Sequence, residues 1–143
     1  PGKWSPAQVA MHVCRAYELG SAALHGGDSM RLRVSERYAW WLRTLMMPVV
    51  LATRRFPRGA PAPREVWPEG DVTAFTPDAT RRRLEKLAPE LAAGLHRSAA
   101  KPGSPRFTHA YFGMLTPYDT LRLLAAHTRH HERGLAYAAR TVF

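Results

Sequence analysis

Apolar residues recur at steps of three and four in four stretches of this chain, and each stretch opens on a helix start signal. The first begins Ser5-Pro6-Ala7-Gln8: a Ser N-cap, Pro at the first helical position, and Gln three residues after the cap to close a capping box. Val9, His12, Ala16, Leu19 and Ala23 then fall on one stripe, and Gly26-Gly27-Asp28 ends it. The second stretch spans roughly Ser35 to Arg55 and carries Trp40, Trp41, Leu42, Leu45, Met46, Val49 and Val50, with Pro48 predicting a kink. Thr76-Pro77 caps the third, whose stripe is Leu84, Leu87, Leu91 and Leu95; Pro89 between them is expected to bend or split it. The fourth opens Thr116-Pro117-Tyr118-Asp119, with an acid in its first turn, and continues to about Ala139.

Between the second and third stretches, Phe56 to Thr76 is studded with Pro57, Pro61, Pro63 and Pro68. It is too long for a tight turn and too short for a domain, and reads as an ordered crossover loop. Lys101-Pro102-Gly103-Ser104-Pro105 marks a second break. No strand alternation and no internal repeat is evident. The expected class is all-α, a four-helix bundle with one long crossover, forming a single domain over residues 1–143.

Composition changes this picture little, except for charge. One cysteine excludes an internal disulfide framework and zinc sites built on several thiolates, and it fits a reducing, cytoplasmic setting. No apolar run approaches the roughly 18 residues of a membrane span. The chain opens at Pro1 with neither an initiator Met nor a leader, as expected of a processed or truncated piece. Twenty-one Lys and Arg against eleven Asp and Glu give a net charge of +10. The arginines are scattered, and the one run, Arg81-Arg82-Arg83, precedes Leu84 and Leu87 at the start of an amphipathic helix. A solvated, Arg-biased surface is therefore preferred to a phosphate-tracking face, with a general pull on small anions under either reading.

The histidines carry the chemistry. His127 and His131 stand about 40° apart on the last helix, one turn above the other, in line with the apolar positions Leu124, Leu135 and Ala138. His12 lies on the inward stripe of the first helix. A bundle that brings these two stripes face to face converges three imidazoles in its interior, with no acidic residue on either stripe to pair them. Buried imidazoles without partners are costly, and a cation bound at about 2 Å supplies the partner; otherwise each is a hydrogen-bonded core residue. His130, about 60° off the His127 line, is either a supporting residue or exposed. His109, in Phe107-Thr108-His109-Ala110-Tyr111-Phe112-Gly113, either hangs over the site from the loop before the last helix or is held by backbone. His25 and His96 are placed at the surface. Cys14 is about 200° from His12 and is read as a packing residue, and Glu132 points away from the pair.

Three groups of residues resemble a known family. Gly2-Lys3-Trp4-Ser5-Pro6-Ala7-Gln8-Val9 followed by His12 is similar to the opening of the second helix of the DinB-like superfamily. Arg55-Phe56-Pro57-Arg58-Gly59-Ala60-Pro61 resembles a loop of its DUF1569-like branch. So does His109 to Thr116 followed by His127-Thr128-Arg129-His130-His131. The resemblance implies a helical bundle with a three-histidine divalent metal site, zinc or nickel, whose ligands by position are His12, His127 and His131. It also implies a family of metal-dependent transferases and isomerases that use low-molecular-weight thiols, often as homodimers. Two departures stand out: the family's helix before Trp4-Ser5-Pro6 has no residues here, and Gly134 stands where the family has Gln. The first is read as a helix absent from this sequence or a groove filled by another chain.

The leading functional reading is an enzyme in which three histidines leave a coordination position open, so that a thiol or water is activated there for transfer to a small-molecule substrate. Surplus arginine would then hold an anionic thiol cosubstrate. A different class is a non-catalytic metal- or ligand-binding bundle, its site closed by His109 or His130. Nucleic-acid binding rests on charge alone.

Overall fold

A computed structural model describes residues 4–57, 61–99 and 106–140, with side chains through 97 and 133 in the last two segments. Helix α1, Pro6–Leu24, begins as the sequence dictates: Gln8 N–H donates to Ser5 Oγ at 3.2 Å while Ser5 N–H donates to Gln8 Oε1 at 2.8 Å. It ends where Gly26 adopts φ 85°. Helix α2, Glu36–Thr53, is capped by Ser35 and closed by Arg54 in the left-handed region. A single 3-10 turn, Arg64–Val66, interrupts the crossover. Helix α3 covers Pro77–Ala99 and α4 covers Pro117–Arg140, the latter started by Asp119 N–H donating to Thr116 Oγ1 at 3.1 Å.

Neither internal proline splits its helix, and α2 and α3 run through Pro48 and Pro89. Both prolines face solvent, where water can satisfy the carbonyl left without a donor one turn earlier. Of the expected stripes, His12, Ala16, Ala23, Leu87, Leu91 and Leu124 are buried, and Val9, Leu19, Leu84 and Leu95 are half-buried. The Lys101–Pro105 break and the side chains of Leu135 and Ala138 lie outside the described residues.

One element departs from expectation. The segment ahead of α4 is an antiparallel hairpin, β1 Phe107–His109 and β2 Gly113–Leu115, paired Phe107 to Leu115 and His109 to Gly113. Its two three-residue strands are too short for alternation to register, and Gly113 at φ 68° makes the turn possible. The extended segment after α1 runs along it, with Met30 N–H donating to Thr108 O and Arg33 N–H to Ala110 O. Among the described residues α1 packs against α3 and α4, and α2 packs against α4 and β2. Phe107, Leu24, Leu91 and Leu115 are the largest side chains sealed in the common core. No helix among the described residues is long and apolar enough to cross a membrane.

Candidate metal centre

Helices α1 and α4 meet with their histidines facing. His12 Nε2 lies 2.9 Å from His127 Nε2, and His131 Nε2 lies 3.0 Å from the same atom. The rings of His12 and His131 are 5.0 Å apart. Two nitrogens bound at about 2.0–2.1 Å to one ion stand about 2.9–3.4 Å apart for angles between square and tetrahedral, so the observed spacings suit a shared cation. The three form a group whose ligand atoms all lie within 4.8 Å of one another, and which can hold a metal ion.

Proton bookkeeping supports this fit. His12 Nδ1–H donates to the Val66 carbonyl at 2.7 Å, which fixes a lone pair on Nε2. Burial lowers the pKa of His12 despite that bond, which acts in the opposite direction. Burial also drives His127 well below its usual value, reinforced by the neighbouring imidazoles, and holds His131 near about 4 with help from His12 and His130. All three rings are thus neutral at pH 7. With His12 an acceptor, His127 has at most one proton to share between two short contacts, and its other tautomer sets two lone pairs face to face. In every arrangement no more than one of the two contacts is a full hydrogen bond. A cation satisfies all three nitrogens at once.

The cluster lines a cavity of about 420 Å³ walled by Trp4, Phe56, Val66, Phe107, Leu123 and Leu124 among others. Trp4 packs against His12 with ring centres 4.8 Å apart, and Phe56 against His127 at 5.5 Å. His109 and His130 also line it, and neither belongs to the ligand group. His130 Nδ1 accepts from Phe56 N–H at 3.3 Å, and His109 Nδ1 accepts from Tyr111 N–H at 3.2 Å and Phe112 N–H at 3.3 Å. His109 therefore combines both of its expected placements: it is held by backbone and it faces the cavity, from a strand instead of a loop. No arginine or lysine is among the described residues of the wall. His25 and His96 are exposed, Cys14 is fully buried, and Glu132 pairs with Arg129 at the surface.

The sequence profile of the DinB superfamily matches residues 1–133. The chain belongs to the DinB superfamily. The four helices among its described residues and its three-histidine cluster fit a metal-binding helical protein. No curated protein and no solved structure matches the chain.

Val66, Phe56 and Trp4 are parts of this DinB site that the sequence pattern did not single out. Val66 acts through its peptide carbonyl, which leaves no trace in residue type. Trp4 and Phe56 had a signal, each lying inside a segment that resembles the family.

Proposed function

We propose that this DinB protein is a divalent-metal-dependent enzyme of the thiol S-transferase type, holding zinc or nickel through His12, His127 and His131. The observation that carries the reading is the convergence of three neutral Nε2 atoms at an apolar cavity, with no fourth protein ligand in the group. A divalent cation so held lowers the pKa of a thiol or water that reaches it and supplies a nucleophile at neutral pH. The chain's residues do the rest. Val66 holds His12 in the ligating tautomer, and Phe56, Trp4 and Phe107 exclude water around the cluster. No carboxylate lines the described cavity, so three imidazoles leave the charge of a dication unbalanced. That favours an anionic reacting group such as a thiolate, while the apolar wall accepts an uncharged body. The single buried cysteine fits a reducing cytoplasm as the setting.

The reading includes a homodimer formed through α2. Tyr38, Trp41, Leu45 and Val49 fall on one stripe of that helix, opposite its packed side, and are 47–52% exposed. Packed antiparallel on its twin about a twofold axis, this stripe covers itself.

The test is elemental analysis of protein purified without added metal, paired with consumption of a small thiol in the presence of an electrophile. Wild type is expected to carry stoichiometric metal and to turn over, and His131→Ala to lose both. Metal content and turnover that both survive in His12→Ala would end the proposal.

A further inference from the structure

Within the cavity, the side-chain donors are unequally committed. Tyr111 O–H donates to the Pro61 carbonyl at 2.9 Å and Thr120 O–H to the Thr116 carbonyl at 2.9 Å, so neither hydroxyl is free to donate. His12, His127 and His131 turn their Nε2 atoms on one another. His109 differs. Its Nδ1 accepts two backbone N–H groups of its own hairpin turn, which places the ring proton on Nε2. The ring is stacked on Phe112 with centres 4.8 Å apart and planes 22° apart, which fixes its orientation. Its Nε2 has no acceptor among the described residues, although the ring lines the cavity. Burial holds the imidazole neutral, with a pKa near about 4, and no charged side chain contributes there. His130 is also held through Nδ1, but by one backbone donor, and it shares its surroundings with Arg133.

We infer that His109 Nε2–H is a pre-oriented hydrogen-bond donor that recognises an uncharged acceptor, of the carbonyl type, on an otherwise apolar ligand. Two features define that ligand class. The wall offers broad apolar and aromatic area with no charged side chain among its described residues, so a second charged group on the ligand would go unpaired. A donor whose orientation is fixed before binding costs little ordering entropy when it engages an acceptor. His109 is thus a specificity-determining residue on the cavity wall, outside the three-histidine ligand group. The inference rests on this cavity being the substrate site, as proposed above, but not on the metal.

The two nitrogens of His109 can be separated by substitution. His109→Asn keeps an acceptor where Nδ1 meets the turn but lacks the reach of Nε2. His109→Gln keeps an N–H near Nε2 but loses the acceptor for the turn. The probes are acetophenone and α-methylstyrene, which share a shape and differ by a carbonyl oxygen against a methylene group. Binding of each to the full chain is measured by calorimetry, with and without EDTA. The ratio of the acetophenone Kd to the α-methylstyrene Kd is expected to rise about 2- to 12-fold in His109→Asn, as loss of one net hydrogen bond requires, and to stay near wild type in His109→Gln. Thermal stability should follow the reverse order. On wild-type protein carrying 15N-histidine, the Nε2–H resonance of His109 should shift with acetophenone and stay still with α-methylstyrene. That measurement stands even if both variants unfold. An unchanged ratio in His109→Asn, or a resonance indifferent to acetophenone, overturns the inference. A missing EDTA effect with the His109 effect intact counts against the metal reading alone.

Discussion

Replacing His12 with alanine separates a structural histidine from a ligating one. Two effects follow from the geometry. The first is intrinsic: the change removes a side chain only 3% exposed and strips the Val66 carbonyl of its donor at 2.7 Å. Leaving that buried acceptor unpaired costs about 1–3 kcal/mol, and the cavity left behind adds to it. The second is linked to metal. An ion at a free concentration 100 times its Kd stabilises the folded state by about 2.7 kcal/mol. For a chain of this size that raises Tm by about 5–11 °C. The measurement is a thermal shift of chelator-treated protein against increasing zinc or nickel, run on wild type, His12→Ala and His96→Ala. The last removes an exposed histidine that is no part of the cluster. Wild type and His96→Ala are expected to show the full metal-dependent rise. His12→Ala should start lower and show little or none of it. A His12→Ala protein that starts lower but keeps the whole rise would refute the reasoning, because His12 would then be a packed residue that binds nothing.

Acid should destabilise the metal-free protein. Burial holds His109 at a pKa near about 4, against 6.5 in the unfolded chain, so below 6.5 the unfolded state takes up a proton that the folded state refuses. Stability contributed by this group is complete above pH 6.5 and declines as pH falls towards 4, by about 2 kcal/mol between pH 7 and pH 5. His12, His127 and His131 are lowered too and add in the same direction. Urea unfolding at the two pH values measures the sum, and stability that holds or rises towards pH 5 contradicts it. On α2, Leu45→Glu places a charge in the exposed stripe and should convert a dimer to a monomer in light scattering without unfolding it; a monomeric wild type at the same concentration removes the dimer.

Much of this arrangement is legible in the sequence because it rests on periodicity and local caps. The Ser5 and Gln8 pair announces the start of α1, and Thr116 with Asp119 announces that of α4. Once both registers are set, the inward direction of His12, His127 and His131 follows from 3.6 residues per turn. The hairpin was not legible, since three residues per strand cannot establish a period and its pairing depends on contacts with the segment after α1. Nor was the placement of charge. Counting arginines gave a basic chain, but the described cavity wall contains none, because an unpaired guanidinium beside three imidazoles would be costly to bury. Of the outcomes expected at the prolines, splitting does not occur: α2 and α3 continue through Pro48 and Pro89, whose exposed positions let water satisfy the freed carbonyls.

The Val66 carbonyl sits in the crossover between α2 and α3, yet it governs which nitrogen of His12 points at the cluster. Arg15 of α1 anchors the same stretch by donating to the carbonyls of Trp67 and Glu69. The stretch that walls one side of the cavity is therefore also the stretch that would tune affinity for an ion held by the cluster. Under the proposed function, any rebuilding of this loop would reach the cluster through a single peptide group, so selectivity and metal loading would have to be engineered together.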